Sequence, residues 1–331
     1  MRLAVARSEA VRGTTSPNPP VGCVILDRDG ELAGAGATQP PGGAHAEVMA
    51  LDDAGDKARG GTAVVTLEPC AHHGRTPPCT DALIAAGVAR VVFAIPDPNP
   101  QAAGGRAVLE AAGITVESGL LADEVAQGPL RAWLHFARTG RPHVTWKYAA
   151  TLDGRVAAAD GTSRWISSEQ SRAEVHDLRR KIDVIMAGRG TVSADDPALT
   201  ARDEDGTTHA RQPLRVVVGT GDLPAAAKVL DDSAETLHLR TRDPAEVLAA
   251  LAERGAVDVL LEGGPTLAGA FAEAGMIDRI LAYLAPTLLG AGPVALGASG
   301  VSTITDAHRF VVEGVTMCGP DVRVSAVPVT D

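Results

Sequence analysis

Aromatic side chains and positive charge are both scarce in this chain. Only 3% of its 331 residues are aromatic, and its formal net charge at pH 7 is -11. Proteins that bind single strands use aromatic stacking in a basic groove, and binding to a phosphate backbone draws its affinity from cations that release counterions. The sequence therefore predicts no nucleic-acid partner and favours chemistry on a small molecule.

Cysteine is also rare, and long apolar runs are missing. The four cysteines are too few for a disulfide framework, so they indicate a reducing compartment, the cytoplasm. No stretch reaches the length of about 20 apolar residues that a membrane helix needs, and the first residues carry no apolar signal-peptide core. We expect a cytoplasmic protein without membrane contact.

The length of the chain and a break near its middle predict two domains. A chain of 331 residues with 45% hydrophobic residues is long enough for two cores. The segment Thr139-Gly140-Arg141-Pro142 combines Gly and Pro between a predicted helix and a predicted strand. We place the boundary there, with domains at 1–141 and 142–331.

The first domain alternates helices and strands. Its patterns predict a helix ending near residue 13, a hairpin of strands 21–26 and 31–37, and a single closing helix over 124–137. Between them we expect helices over 45–53, 79–87 and up to 112, and strands over 62–67, 91–95 and 114–116. This alternation is typical of an α/β unit.

Three metal-binding residue types occur in a distinctive arrangement in this domain. His45 is followed by Glu47, and Glu68-Pro69-Cys70 is separated by eight residues from Cys79. One imidazole and two thiolates are three zinc ligands, which leaves the fourth tetrahedral position to water, as in a catalytic site. Glu47 is close enough in sequence to shuttle a proton to that water, as in zinc-dependent base deaminases.

The second domain predicts a mostly parallel sheet. Apolar strands over 183–187, 214–218 and 257–261 each end in a Gly-containing turn, helices over 169–181, 245–254 and 266–274 connect them, and a hairpin over 310–315 and 322–327 closes the domain. Ligands bind at the carboxyl ends of such strands. No G-x-G-x-x-G follows any strand, and Gly263-Gly264 alone could equally be a structural turn.

The longer motifs of both halves resemble the RibD family, the bifunctional riboflavin-biosynthesis deaminase-reductases. The general deaminase signature has two residues between its cysteines, whereas this chain has the longer segment Cys70-Ala71-His72-His73-Gly74-Arg75-Thr76-Pro77-Pro78-Cys79. In the second half, Trp146-Lys147-Tyr148-Ala149-Ala150-Thr151-Leu152-Asp153-Gly154, Ser163-Arg164-Trp165 and Glu262-Gly263-Gly264 are similar to the family's reductase. The resemblance implies a cytidine-deaminase-like three-layer domain followed by a dihydrofolate-reductase-like domain.

The resemblance also implies site residues and cofactors. For the deaminase it implies Zn²⁺ on His45, Cys70 and Cys79, Glu47 as the catalytic proton carrier and Asn18 on the pyrimidine, with His72, His73 and Arg75 near the substrate. For the reductase it implies NADPH, and Lys147 and Asp195 as catalytic residues. The implied NADPH-binding residues are Ala150, Trp165, Thr191, Asp195, Gly264, Pro265, Thr266, Leu267, Ala268, Gly269 and Ala270, and the implied substrate-binding residues are Ser163, Arg179, Leu199, Arg202 and Glu262.

The implied function is a two-step conversion of a phosphoribosylated pyrimidine. Zinc-dependent deamination of diaminohydroxyphosphoribosylaminopyrimidine gives 5-amino-6-(5-phosphoribosylamino)uracil, and NADPH then reduces the ribosyl group to ribityl. We expect a small-molecule substrate and neither a nucleic-acid nor a membrane partner. The prediction leaves room for a homo-oligomer. Two positions depart from the family pattern: Thr38 replaces a histidine, and Gly219 replaces an aspartate.

Other interpretations of the residues stay open at this stage. The first domain could be a nucleic-acid or nucleoside base deaminase with a degenerate second domain, or the chain could be a non-catalytic binding protein with a structural zinc. Without the resemblance, Arg179 would be an exposed helix end, Asp195 would cap a turn and Trp165 would fill a core.

Overall fold

A computed structural model describes residues 1–72, 77–99, 102–203 and 205–329. The chain forms two compact units, Met1–Arg141 and Pro142–Asp331. Within the described residues, no helix combines the length and the apolar character that crossing a bilayer requires.

The first unit is a five-stranded sheet in the order β2-β1-β3-β4-β5, in which β1 is antiparallel to its two neighbours and the rest is parallel. Its strands are β1 (Gly22–Leu26), β2 (Leu32–Ala37), β3 (Thr62–Leu67), β4 (Arg90–Ile95) and β5 (Thr115–Ser118). Its helices are α1 (Arg2–Ala10), α2 (Ala46–Ala54), α3 (Cys79–Ala86), α4 (Gly105–Ala111), α5 (Ala122–Gln127) and α6 (Arg131–Thr139).

Glycines in β1 and β2 place helices on opposite faces of this sheet. A Cβ on Gly22 would lie 2.0 Å from the carbonyl oxygen of Ala4 in α1, and one on Gly36 would lie 2.5 Å from the nitrogen of Ala50 in α2. Gly36 pairs with Cys23, the residue after Gly22, and successive residues of a strand point to opposite faces. The sheet therefore lies between α1 and α2, which gives the three-layer deaminase-like fold.

The second unit is an eight-stranded sheet in the order β12-β13-β11-β6-β10-β7-β8-β9. Its strands are β6 (His143–Thr151), β7 (Val184–Gly188), β8 (Leu214–Val218), β9 (Thr236–Leu239), β10 (Asp258–Leu261), β11 (Arg279–Ala285), β12 (Phe310–Cys318) and β13 (Asp321–Pro328). Its helices are α7 (Glu169–Arg180), α8 (Arg189–Asp195), α9 (Pro244–Glu253) and α10 (Pro265–Glu273). The six strands from β11 to β9 are parallel, whereas β13 is antiparallel to both of its neighbours, β11 and β12, so the mostly parallel sheet is confirmed.

The hairpin of β12 and β13 holds the start of α7. Asp321, at 1% exposure, accepts hydrogen bonds from the Ser168 nitrogen at 2.7 Å and the Ser171 hydroxyl at 2.6 Å. A carboxylate at this position satisfies the amide and opposes the dipole of a helix N-terminus. One turn further along, Glu174 accepts the Tyr283 hydroxyl at 3.0 Å and pairs with Arg323. These contacts fix α7 on the sheet.

Four local features differ from the predictions. The closing helix of the first unit is two helices, because α5 ends before Gly128 and α6 begins at Arg131. Strands β9 and β11 were not predicted, and the Gly-containing segment after β7 is the short helix α8 rather than a turn. His45 precedes α2 as its N-cap residue instead of lying in its first turn.

Candidate active sites

The three predicted zinc ligands converge in the first unit. His45 Nδ1 lies 3.1 Å from Cys79 Sγ and 3.7 Å from Cys70 Sγ, and the three donor atoms lie within 4.8 Å of one another. Tetrahedral zinc with bonds of about 2.3 Å to sulfur and about 2.1 Å to nitrogen separates neighbouring donors by roughly 3.5–3.8 Å. One nitrogen and two sulfurs at these separations fit a zinc ion.

Local structure explains why the three donors meet. His45 ends an extended segment just before α2, and Cys79 is the first residue of α3, directly after Pro78. The Cys79 nitrogen donates a hydrogen bond to Cys70 Sγ at 3.4 Å, which ties the two cysteine segments together. The contact between the two thiols lowers the pKa of Cys70 and raises that of Cys79, so Cys70 is the first of the two to ionise.

Glu47 lies against this cluster. Its carboxyl group is 4% exposed and in hydrogen-bond contact with the Cys79 thiol. Burial raises the pKa of Glu47 to about 7, and the charge of Cys70 adds to the shift. A buried carboxyl group beside the ligands is placed to carry a proton, which is the role that the sequence predicts for it.

Glu68 holds the segment that carries Cys70. It is 8% exposed, and its two carboxylate oxygens accept the nitrogens of Asp97 at 3.2 Å and Arg106 at 2.9 Å. Gly105, before Arg106, allows this approach, because a Cβ there would lie 1.9 Å from the Pro69 oxygen. The positioning role of Glu68 was not recognised from the sequence, although the residue is part of the motif.

Some of the remaining predicted deaminase residues are described by the structure, and others are not. Asn18 is half-buried in a turn, where its main-chain carbonyl oxygen accepts a hydrogen bond from the Thr15 hydroxyl at 3.0 Å. Thr38 is 4% exposed, and its hydroxyl accepts a hydrogen bond from the Val21 nitrogen at 3.1 Å, so it holds the segment just before β1 rather than offering an ionisable contact. His72 is exposed, while His73 and Arg75 lie outside the described residues.

The second unit assembles a buried ionic cluster at the carboxyl ends of its parallel strands. Glu262 follows β10, and its two oxygens accept Arg179 Nε at 2.8 Å and Nη2 at 2.9 Å. Lys147 Nζ of β6 lies 3.8 Å from the same carboxylate, and Arg179 Nη1 donates to the Thr200 oxygen at 2.9 Å. Three predicted reductase residues, Lys147, Arg179 and Glu262, therefore meet.

Charge and burial set the protonation of this cluster. Burial by itself raises the pKa of Glu262, but the positive charges of Arg179 and Lys147 outweigh burial and lower it to about 2. Burial lowers the pKa of Lys147, and Glu262 opposes that change. The cluster thus contains a firmly ionised carboxylate and an ammonium whose proton is easier to release than that of an exposed lysine.

His176 belongs to this cluster and was missed in the sequence. Burial and then the charge of Arg179 lower its pKa to about 4, so its ring is neutral at pH 7. Its Nδ1 atom is buried and has no hydrogen-bond partner in the described part of the chain. The sequence signal is its spacing, because residues three apart on α7 share a face and His176 precedes Arg179 by three.

The predicted NADPH residues gather near the ends of β7 and β10. The Gly264 nitrogen donates to Thr191 Oγ1 at 3.0 Å, and Gly264 caps α10. Asp195 is exposed at the end of α8, and its main-chain carbonyl oxygen accepts a hydrogen bond from Arg164 Nη2 at 2.6 Å, which brings it close to Trp165. Trp165 is 68% exposed, with the Arg172 guanidinium 4.6 Å from its ring centre, so it does not fill a core.

Several predicted contact residues have buried side chains. Leu267 and Ala268 pack in the hydrophobic core, as does Leu199 in a second core cluster, so a ligand would meet their main chain. Ala150 is also buried, on β6.

The other predicted contact residues differ in exposure. Gly269 faces the segment around Ala298. Thr266 is exposed, whereas three residues are partly buried: Ser163, Pro265 and Ala270. Arg202 is exposed, with Nε 3.2 Å from the Thr200 hydroxyl.

The two units define a two-part enzyme, a zinc-dependent deaminase combined with a reductase. Residues 1–95 match the family model of the cytidine and deoxycytidylate deaminase zinc-binding region, and residues 142–324 match that of the RibD C-terminal domain. The riboflavin biosynthesis protein RibD of Mycobacterium tuberculosis is 58% identical over 99% of this chain and 96% of its own length. The corresponding protein of Escherichia coli is 43% identical over 97% and 96% of the two chains.

Solved structures agree along the whole chain. Acinetobacter baumannii RibD matches with a TM-score of 0.87 and 38% identity over 99% of this chain and 98% of its own. A Thermotoga maritima diaminohydroxyphosphoribosylaminopyrimidine deaminase/5-amino-6-(5-phosphoribosylamino)uracil reductase matches with a TM-score of 0.90 and 32% identity over 99% and 97%. The chain belongs to the RibD family of bifunctional riboflavin-biosynthesis proteins, which confirms the family, fold and cofactors that the motifs predicted.

Proposed function

We propose that residues 1–141 deaminate diaminohydroxyphosphoribosylaminopyrimidine and that residues 142–331 reduce the ribosyl group of the product to ribityl. The meeting of His45, Cys70 and Cys79 beside the buried Glu47 is the observation that carries the first assignment. The cluster of Lys147, Arg179 and Glu262 supports the second. The cytoplasmic location expected from the cysteine content stays a prediction.

In the deaminase, the chain's own part is to hold the metal and move a proton. His45, Cys70 and Cys79 would hold zinc, which would act as the Lewis acid that makes water nucleophilic at neutral pH. Glu47 takes a proton as water attacks the amino-bearing carbon, and delivers it to the amino nitrogen, which leaves as ammonia. The oxygen of that water becomes the new carbonyl oxygen, and Asn18 holds the pyrimidine.

In the reductase, the ionic cluster anchors the substrate and supplies a proton. Bound NADPH would supply the hydride. Opening the ribose replaces the C1′–O4′ bond by a C1′–H bond and leaves O4′ as a hydroxyl, so the site must provide one proton. Lys147 is placed to donate it, because Glu262 holds its ammonium group at 3.8 Å and burial lowers its pKa. Arg179 aligns Glu262 through two hydrogen bonds, and Arg202 and Ser163 contact the phosphoribosyl group.

The zinc-loaded protein, the aminopyrimidine substrate and NADPH together test both assignments. We expect ammonia release without NADPH, and NADPH oxidation with a ribityl product when it is added. A Glu47→Gln variant should keep its zinc, measured by metal analysis, and lose ammonia release by about 100-fold or more. It should still reduce the deaminated intermediate. Normal ammonia release from this variant, or from metal-free protein, would contradict the deaminase assignment.

A homo-oligomer is a further part of the proposal. The edge strand β12 exposes Val311, Val312, Val315 and Met317 by 54–67%. An exposed apolar edge strand is a pairing surface for a second chain. Light scattering of the wild-type protein and of a Val312→Lys, Val315→Lys variant tests it, since a smaller mass is expected for the variant. Equal monomeric masses would contradict it.

A further inference from the structure

Arg189 lies where β7 and β8 end, and two glycines make room for its side chain. It is the first residue of α8, directly after β7. A Cβ on Gly219, which follows β8, would lie 3.0 Å from Arg189 Cβ, and a Cβ on Gly221 would lie 3.1 Å from its Cδ and Nε. The Arg189 side chain therefore runs along the segment 219–221.

The Arg189 guanidinium is available for a ligand. It makes no hydrogen bond or ion pair with any residue that the structure describes, although the residue is partly buried. Arg240, which reaches the same segment at the Thr220 oxygen, is engaged, because it pairs with Asp222 at 2.6 Å. A guanidinium has five donors in a fixed fork that matches a phosphate group.

The position is adjacent to the dinucleotide residues of the proposed reductase. Thr191, two residues beyond Arg189, accepts the Gly264 nitrogen at the start of α10. In open α/β sheets, dinucleotides bind outside the carboxyl ends of the strands. A carboxylate on a neighbouring strand end holds the ribose 2′-hydroxyl of NADH, whereas an arginine accommodates the 2′-phosphate of NADPH.

The strand end beside Arg189 lacks the competing carboxylate. Gly219 takes the first position after β8 with φ 145°, a conformation that L side chains rarely adopt. Its oxygen lies 2.8 Å from His238 Nε2, which fixes the loop, and the carboxylate of Asp222 is occupied by Arg240. The local charge therefore suits a dianion better than a neutral hydroxyl.

We propose that Arg189 binds the 2′-phosphate of NADPH and thereby selects NADPH over NADH. The inference rests on the proposed reductase function. It assigns cofactor choice to a residue outside the motifs that identify the domain.

Titration of the full chain with 2′,5′-ADP and 5′-AMP at fixed ionic strength tests this role without turnover. We expect wild type to bind 2′,5′-ADP more tightly than 5′-AMP. Arg189→Gln should weaken 2′,5′-ADP binding by about tenfold or more and leave 5′-AMP binding unchanged, because only the charge-assisted bonds to the 2′-phosphate are lost. The matched control is Arg254→Gln, which also removes one positive charge but lies 3.1 Å from Glu235 at the end of α9.

The outcomes separate this inference from the proposed function. If wild type binds neither NADPH nor NADH, the reductase assignment fails. If wild type binds NADPH and Arg189→Gln retains the same preference for 2′,5′-ADP over 5′-AMP, the Arg189 inference alone is wrong. An equal loss for both nucleotides would also overturn it, since that indicates a structural role. If Arg189→Gln has a lower melting temperature than wild type, Arg189→Lys replaces it in the test. Arg189→Lys should keep part of the preference for 2′,5′-ADP over 5′-AMP, because it keeps the positive charge.

Discussion

Arg179 and Glu262 form a bidentate ion pair, in which Arg179 Nε donates to Glu262 Oε1 at 2.8 Å and Nη2 donates to Oε2 at 2.9 Å. Their side chains are only 15% and 11% exposed, and Lys147 approaches the same carboxylate. The pair fixes Glu262 in one orientation, and Glu262 in turn positions the ammonium group of Lys147. Arg179 thus acts on the reductase site largely through Glu262.

Replacing Arg179 by lysine should therefore impair reduction selectively. Arg179→Lys keeps the charge but loses the fork, so Glu262 is held by one bond instead of two. We expect kcat/KM for NADPH oxidation to fall by about tenfold or more, while ammonia release stays unchanged. The control is Arg180→Lys, because Arg180 pairs with the more exposed Asp177 and Asp203. Equal effects of the two substitutions would contradict the positioning role.

The low pKa of Glu262 predicts a dependence of stability on pH. Its pKa is about 2 in the folded chain, below the ordinary value of 4.5. A lowered folded-state pKa gives stability that is fully present above about pH 4.5 and is lost as the pH falls toward 2. The difference in free energy of unfolding between wild type and Glu262→Gln should be constant from pH 7 to pH 5 and become smaller below it.

Denaturant titrations followed by tryptophan fluorescence measure this difference. Subtracting the variant removes the contribution of the other carboxylates, which titrate in both proteins. A difference that does not change between pH 5 and pH 3 would show that the Glu262 carboxylate has an ordinary pKa.

Gly105 lies so close to Pro69 that we expect any larger residue at position 105 to disturb the zinc site. A Cβ at Gly105 would lie 1.9 Å from the Pro69 oxygen, so Gly105→Ala must displace the Pro69–Cys70 segment. We expect zinc affinity, measured by competition with a chelator, to fall by about tenfold or more, as for other residues that orient a ligand. Gly314→Ala is the control, since nothing lies within 4 Å of its Cβ position. Unchanged affinity in Gly105→Ala would mean that α4 moves instead.

The exposure of Trp165 separates a binding role from a structural one. Because its side chain is 68% exposed, Trp165→Ala should change the melting temperature little and weaken NADPH binding. Trp146, at 5% exposure, is the comparison, and Trp146→Ala should cost about 3–5 kcal/mol of stability. A large loss of stability in Trp165→Ala, with normal NADPH binding, would count against the cofactor role.

The zinc cluster could be predicted from sequence because its ligands lie in short motifs, two of which also mark the start of a helix. Pro78 precedes Cys79 at the start of α3, and His45 lies directly before α2. The cysteine spacing then distinguished one family among the base deaminases. At these positions, the metal-binding residues and the signals for the start of a helix lie in the same short stretch of sequence.

The residues that the sequence missed depend on contacts between distant segments. Arg189 is one of 30 basic residues, and its setting depends on glycines at 219 and 221, which belong to another strand end. The helix that begins there was predicted as a turn because Gly190 weakens a helix, and packing against the sheet overrides that weakness. Strand β9 has four residues and lies at a sheet edge, where an alternating pattern is too short to detect.

The anchor of α7 on Asp321 has a consequence for the order in which the chain is made. Asp321 follows every residue of the ionic cluster in sequence, yet it holds the helix that carries Arg179. The contacts of Asp321 with α7 can therefore form only after β13 has been synthesised, whereas all three zinc ligands have been synthesised by Cys79. The complete sequence of the first unit, with all five of its strands, is therefore synthesised before the strand that anchors α7.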